Sequence, residues 1–190
     1  MTEKAAVHVP HGSSDGSLSP LLKTGVIPLD ITSLREIATN DIQALVAQGG
    51  ILASDSVPNL ARVNGATDKA LRVTWTAEGD TDEAQFPPVP LPPDLNADEP
   101  ITFHALMAME AANDTPVVDV QVFNGVGDTE MGGATAAVTG VAVAEYTVTI
   151  AAANVAGHPG VLNIALVPAA HEADDLYLYA AWLEYTRKEW

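Results

Sequence analysis

Five histidines and 25 acidic side chains hold most of the reactive chemistry open to this 190-residue chain, which has no cysteine. Without thiols there is no disulfide, no cysteine nucleophile and no cysteine-held zinc or iron–sulfur site. His8 and His11 are spaced closely enough to share a metal, with Asp15 nearby, but they sit in a Gly/Ser-rich segment with no further ligand type, so solvated histidines are the simpler reading. His104 falls on the polar phase of a strand pattern, His158 in a Gly/Pro turn and His171 beside Glu172 in a loop. None has a neighbour in sequence that marks it as a general base. Acidic groups gather at Asp80, Asp82 and Glu83, at Asp94, Asp98 and Glu99, and at Asp174 and Asp175, all in predicted loops. None matches the spaced acidic loop, central Gly and terminal Glu of a calcium hand, and solvated loops account for them. Glu110 and Glu145 lie on separate strands and would form a glycosidase pair only if folding set them at a working separation.

Other motifs exclude more than they suggest. Gly125-Val-Gly127 begins like a dinucleotide fingerprint, but position 130 is Glu and the setting is strand to strand, so no helix N-terminus can cradle a phosphate. There is no Gly-x-Ser-x-Gly elbow and no phosphate-binding Gly-Lys-Ser/Thr loop. Trp75, Phe103, Tyr146 and Trp182 read more simply as core or interface residues than as sugar-stacking platforms. The expectation is a chain that is not an enzyme and takes no metal or cofactor.

The elements that must position these residues are strands. Leu71, Val73 and Trp75 alternate with Arg72 and Thr74, and Ile101, Phe103, Ala105, Met107 and Met109 alternate with Thr102 and His104. The same period of two recurs at Val118, Val120 and Val122, at Tyr146, Val148 and Ile150, and at Leu162, Ile164 and Leu166, which is the signature of half-buried strands. Leu176 to Tyr185 is apolar or aromatic on both phases, as suits a central strand. Asn113-Asp-Thr-Pro116, Gly132-Gly133, Gly157-His-Pro-Gly160 and similar turns separate the runs without intervening helices. The prolines from Pro87 to Pro93 cannot donate a full ladder and belong at an edge or in an extended connection. The fold class is therefore all-β, an antiparallel β-sandwich of jelly-roll type, over residues 59–190. Residues 1–30 read as an extended N-terminal arm. Residues 31–58 read as one short helix and a connection, with Ser33 and Glu36 at capping-box spacing and Gly49-Gly50 as the stop.

Charge narrows the partners. The formal net charge is −17, and the 114 residues from Val73 to Thr186 contain no Lys or Arg but 17 Asp and Glu. Such a stretch cannot neutralise phosphates, so neither nucleic acid nor an anionic membrane is an expected partner. No apolar run is long enough for a signal peptide core or a spanning helix, and neither secretion nor membrane anchoring is expected.

Leu71-Arg-Val-Thr-Trp75, the proline run from Phe86 to Pro93, Gly125-Val-Gly-Asp-Thr-Glu-Met-Gly-Gly133 and Leu178-Tyr-Ala-Ala-Trp-Leu-Glu-Tyr185 together resemble β-sandwich proteins of tailed-bacteriophage virions. The resemblance covers about residues 70–186 and implies a structural protein, of the kind that decorates or cements a capsid. On that reading the chain sits on the capsid surface after assembly in the host cytoplasm. Its partners would be the major capsid protein or another virion protein, and it would form a homo-oligomer such as a trimer. The arm would then dock through Leu21, Leu22, Val26, Ile27 and Leu29, with Arg35, Arg62 and Arg72 as cationic contacts to an acidic shell. The alternative is a carbohydrate- or receptor-binding β-sandwich module of a fibre or tail, which would need exposed aromatic residues.

Overall fold

The computed structural model describes residues 23–38, 42–43, 58–63, 70–77, 82–124, 130–155 and 160–188. These residues form β1 (Thr24–Leu29), β2 (Arg35–Ala38), β3 (Ile42–Gln43), β4 (Asn59–Arg62), β5 (Leu71–Trp75), β6 (Glu83–Gln85), β7 (Val89–Pro90), β8 (Ile101–Met109) and β9 (Val118–Phe123). They continue with β10 (Gly133–Ala134), β11 (Ala144–Ile150), the single-turn helix α1 (Ala152–Val155), β12 (Val161–Pro168) and β13 (Leu176–Thr186). One sheet, here sheet A, runs β11-β8-β13-β5-β4 with β1 also on β13; the other, sheet B, runs β10-β9-β12-β6-β2-β3 with β7 on β12. Every recorded pairing is antiparallel. This is the all-β sandwich of jelly-roll type that the alternating runs predict.

The core lies between the sheets. Ile101, Phe103, Ala105, Met107 and Met109 of β8 point inward, as do Val118, Val120 and Val122 of β9 and Leu162, Ile164 and Leu166 of β12. Trp75 joins them and anchors its indole N–H on the Asp82 carbonyl at 2.9 Å. Burying a large apolar side chain of this kind contributes about 1.5–3 kcal/mol, so these alternating positions carry most of the drive to fold.

β13 is the central strand that its two apolar phases predict. It pairs with β8 on one edge and on the other with β5 near its start and β1 near its end. A register shift between Leu178 and Ala180 resets the alternation, so Leu176 and Leu178 point inward before it and Ala181, Leu183 and Tyr185 after it. The proline run also behaves as expected, since only Val89 and Pro90 of it enter a ladder, against Leu162 and Val161.

Two expectations are corrected. The short helix after Ser33 does not form in the described part of residues 31–58. Instead Asp30 caps a single 3-10 turn, Ile31–Ser33, accepting from the Thr32 backbone N–H at 2.9 Å. Ser33 does not act as an N-cap, because its hydroxyl donates to the Asp30 carbonyl at 2.6 Å. Leu34 is then extended and buried, and Arg35–Ala38 runs as a strand against β6, where ladder bonds and burial outweigh a local helix signal. The second correction concerns the arm, whose residues Thr24–Leu29 form β1 in unbroken register with Thr186–Ala181 of β13. Gly25 makes this possible, because a Cβ there would fall on the Tyr185 ring.

Gly132 is more tightly constrained. A Cβ on it would meet the Val120 carbonyl oxygen, which cannot move without breaking the β9 ladder, whereas at Gly133 the nearest atom is the Val148 Cγ1 at 3.9 Å. Gly132→Ala should therefore cost about 3 kcal/mol by the usual scale of overpacking. Gly133→Ala should cost about 1 kcal/mol or less, the ordinary size of a surface substitution. Urea unfolding of the two variants beside the parent protein checks this contrast, and equal midpoints would contradict it.

Candidate functional site

One face of sheet A packs on the core and the other faces away from it. Cross-strand register places Thr147 of β11, His104 of β8, Trp182 of β13 and Pro28 of β1 side by side in one row on the outward face. The flanking rows are Thr149, Thr102, Glu184 and Val26 on one side, and Glu145, Leu106 and Ala180 on the other. The outward position of Trp182 depends on the β13 register shift, because Leu178 and Ala181 both point inward and leave Tyr179 and Ala180 between them.

His104 and Trp182 stack with their centroids 5.0 Å apart and their planes 7° from parallel. That separation is about the 4.7–4.9 Å spacing of neighbouring strands, so the two rings stand side by side on the sheet. One indole face is thus held against the imidazole, and the partly exposed remainder looks outward. His104 Nδ1 meets Glu145 Oε1 at 2.5 Å, a diagonal contact from the adjacent strand that fixes the imidazole plane. The Nε2 of His104 is buried without a partner. Further along β13, the Arg72 guanidinium lies 3.6 Å from the centre of the Tyr177 ring, and Tyr179 meets Tyr177 edge to face. Burial pushes the Tyr177 hydroxyl above its ordinary pKa, with Arg72 pulling it down and Asp175 and Glu110 pushing it up.

The docking residues expected on the arm do not form one exposed row. Leu21 and Leu22 lie outside the described residues. Val26 is 56% exposed, Ile27 is partly buried, and Leu29, at 7%, belongs to the chain's own core, which removes it as a docking residue. The arginines are likewise separated, Arg35 in sheet B beside Gln85 and Arg72 in sheet A on Tyr177. Arg62 contributes its backbone to β4, and its side chain lies outside the described residues. Ile27, Pro28 and Leu29 line an apolar cleft of about 310 Å³ with Phe86 and the following prolines.

The acidic loops do more than carry charge. His8, His11, Asp80, His158 and Gly125 to Gly127 fall outside the described residues. Asp174, expected as a solvated loop residue, is 3% exposed and accepts from the Asn113 backbone N–H at 2.6 Å, the Asp114 backbone N–H at 3.1 Å and the Asn113 side chain at 3.0 Å. Asp114 replies by accepting from the Ala173 and Asp174 backbone N–H groups at 2.6 and 3.2 Å, and Asp175 accepts from the Ala77 N–H at 2.9 Å. His171, also read as a loop residue, is buried, with Nδ1 3.0 Å from the Ala169 carbonyl and Nε2 3.3 Å from that of Trp75. Among the described residues no group of three or more His, Asp and Glu could hold a metal. Glu110 and Glu145 do not face each other as a glycosidase pair. Glu110 lies four residues along from Leu106, the cross-strand partner of Glu145, or roughly 13 Å of strand rise.

No family model and no curated protein matches this sequence. Among solved structures, a xylan-binding module, CBM15, superposes with a TM-score of 0.52 at 13% identity, covering 87% of this chain and 99% of that one. The CBM22-1 xylan-binding domain of Paenibacillus barcinonensis Xyn10C gives 0.44 at 14% identity, over 85% and 97% of the two chains. TmCBM61, solved with β-1,4-galactotriose, gives 0.43 at 13%, over 94% and 95%. At such identity the likeness to the first shows the sandwich fold and nothing about the ligand.

The Asp174 clasp sets an acid limit on stability. Burial pushes its carboxyl up, but the bonds from the Asn113 side chain and from the Asn113 and Asp114 backbones outweigh this and hold it below the ordinary value of 3.8. A carboxyl depressed in the folded state stabilises the fold above its unfolded pKa, and that contribution disappears as pH falls through the folded value. Melting temperature followed downward from pH 6 should fall more steeply below about pH 4 in the parent than in Asp174→Asn. Parallel curves would show that Asp174 does not contribute to the acid limb.

Proposed function

We propose that this chain is a non-catalytic carbohydrate-binding module and that the outward face of sheet A is its binding surface. The observation that carries this reading is Trp182, a large aromatic side chain partly exposed on a sheet face over which no other described strand packs, held in one orientation by His104. A solvent-facing strand ordinarily presents short polar or charged residues there, and an exposed, rigidly placed aromatic group is a feature of binding surfaces. Thr102, Thr147 and Thr149 surround it with hydroxyls, and Glu145 and Glu184 add acceptors. A sugar ring has the matching character, with an apolar C–H face and hydroxyls at its rim. The CBM15 likeness supports the reading as a shared fold whose named example binds xylan.

Attachment to a phage head through the arm, which the virion resemblance implies, keeps Val26 as the one strongly exposed apolar residue among the described docking positions. No other described feature favours it over a sugar surface.

Titration of soluble polysaccharides and their oligomers by calorimetry tests the proposal. Binding of one glycan class is expected, with Trp182→Ala weakening it at least about tenfold, equivalent to about 1.4 kcal/mol, in a variant that circular dichroism shows to remain folded at the assay temperature. Silence across neutral, acidic and aminated glycans would overturn the reading, as would undiminished binding by the variant.

A further inference from the structure

The charge on this face is one-sided. Glu145 and Glu184 stand on the rows to either side of the His104–Trp182 row, separated by roughly 13 Å along the strands. Glu145 gives one oxygen to His104 and remains 49% exposed, and Glu184 is exposed. Among the described residues neither is ion-paired with a lysine or arginine. The described cation on this face, Arg72, is turned onto Tyr177 beyond the register shift. Behind the face, no Lys or Arg occurs from Val73 to Thr186.

A carboxylated or sulfated glycan laid along this row would meet like charge at both flanks, with Arg72, already turned onto Tyr177, as the described cation of the face. A neutral glycan would find hydrogen-bond acceptors but no use for their charge. A glycan carrying protonated amines would place cations beside two exposed carboxylates that no described lysine or arginine neutralises, and it would be steered there by a strongly acidic chain. Resting on the reading of this face as a sugar surface, we propose that its ligand is an aminated polysaccharide, held by Glu145 and Glu184 on either side of Trp182. The amine-to-carboxylate contacts supply selectivity, and the Trp182 edge and neighbouring threonines supply contacts common to any sugar.

The test compares three oligomers of equal length by calorimetry, at a pH where free amines are protonated: β-linked glucosamine, its fully N-acetylated form, and oligogalacturonate. The glucosamine oligomer should bind at least about tenfold more tightly than the acetylated one, with galacturonate weakest and the advantage shrinking as salt rises. The double variant Glu145→Gln, Glu184→Gln should reduce glucosamine binding to the acetylated level. A second pair, Asp119→Asn on β9 with Glu130→Gln beside Met131, removes equal charge from the sheet B side and should leave the preference intact. Equal losses from both pairs would reduce the effect to bulk charge and overturn the inference. So would a preference for the acetylated or acidic oligomer, although Trp182-dependent binding would then leave the carbohydrate reading standing. Absence of binding by all three would overturn the inference, and the carbohydrate reading would then be decided by the wider glycan panel.

Discussion

Strand β13 is held on both edges, by β8 along one side and by β5 and then β1 along the other. Every outward residue of sheet A is therefore placed by the register of this one strand. Its shift between Leu178 and Ala180 matters more than any side-chain contact on the face. Without the extra residue, a strand alternating from Leu176 would carry Trp182 inward and Ala181 outward, since one position of slip exchanges the two faces. The stack on His104, and the diagonal reach of Glu145 to the same ring, would both be lost. The bulge thus converts what would be another core aromatic into a surface one.

This dependence explains how much could be read beforehand. Strands β8, β9, β11 and β12 are visible in the sequence because their inward residues alternate without interruption, and the doubly apolar run at β13 correctly marks a central strand. Trp75 and Phe103, read as core or interface residues, are core. Trp182 looks like them in sequence, and only the register shift, which depends on pairing with β8 and β5, separates it. His104 on the polar phase was a usable hint. Its partner Glu145 is 41 residues away, and that proximity exists only because β11 folds back on β8.

Local signals failed where tertiary pairing competed with them. Ser33 and Glu36 satisfy the spacing of a capping box, but the Ser33 hydroxyl is committed to the Asp30 carbonyl and the next residues gain a full ladder against β6. A capping interaction is worth about 1 kcal/mol, less than burial of Leu34 together with strand pairing can supply. The arm shows the same competition. Its polarity and glycines suggest an appendage, yet Gly25 is what allows the chain to lie flat on Tyr185, whose hydroxyl in turn donates to Asp94 at 3.1 Å.

The acidic residues divide by what accepts their charge. Asp174, Asp114 and Asp175 accept backbone N–H groups and close the loops at one end of the sandwich, and Asp94 takes the Tyr185 hydroxyl while lying 3.5 Å from Arg187 Nε. Those carboxylates are consumed by the fold. Glu184, and the oxygen of Glu145 not given to His104, have no such described use and stand on the face where Trp182 is partly exposed. Net charge alone would treat all of these groups alike, as aids to solubility. Separating the carboxylates that backbone amides hold from those left facing solvent reduces a composition to a smaller set of groups, of which Glu145 and Glu184 flank Trp182.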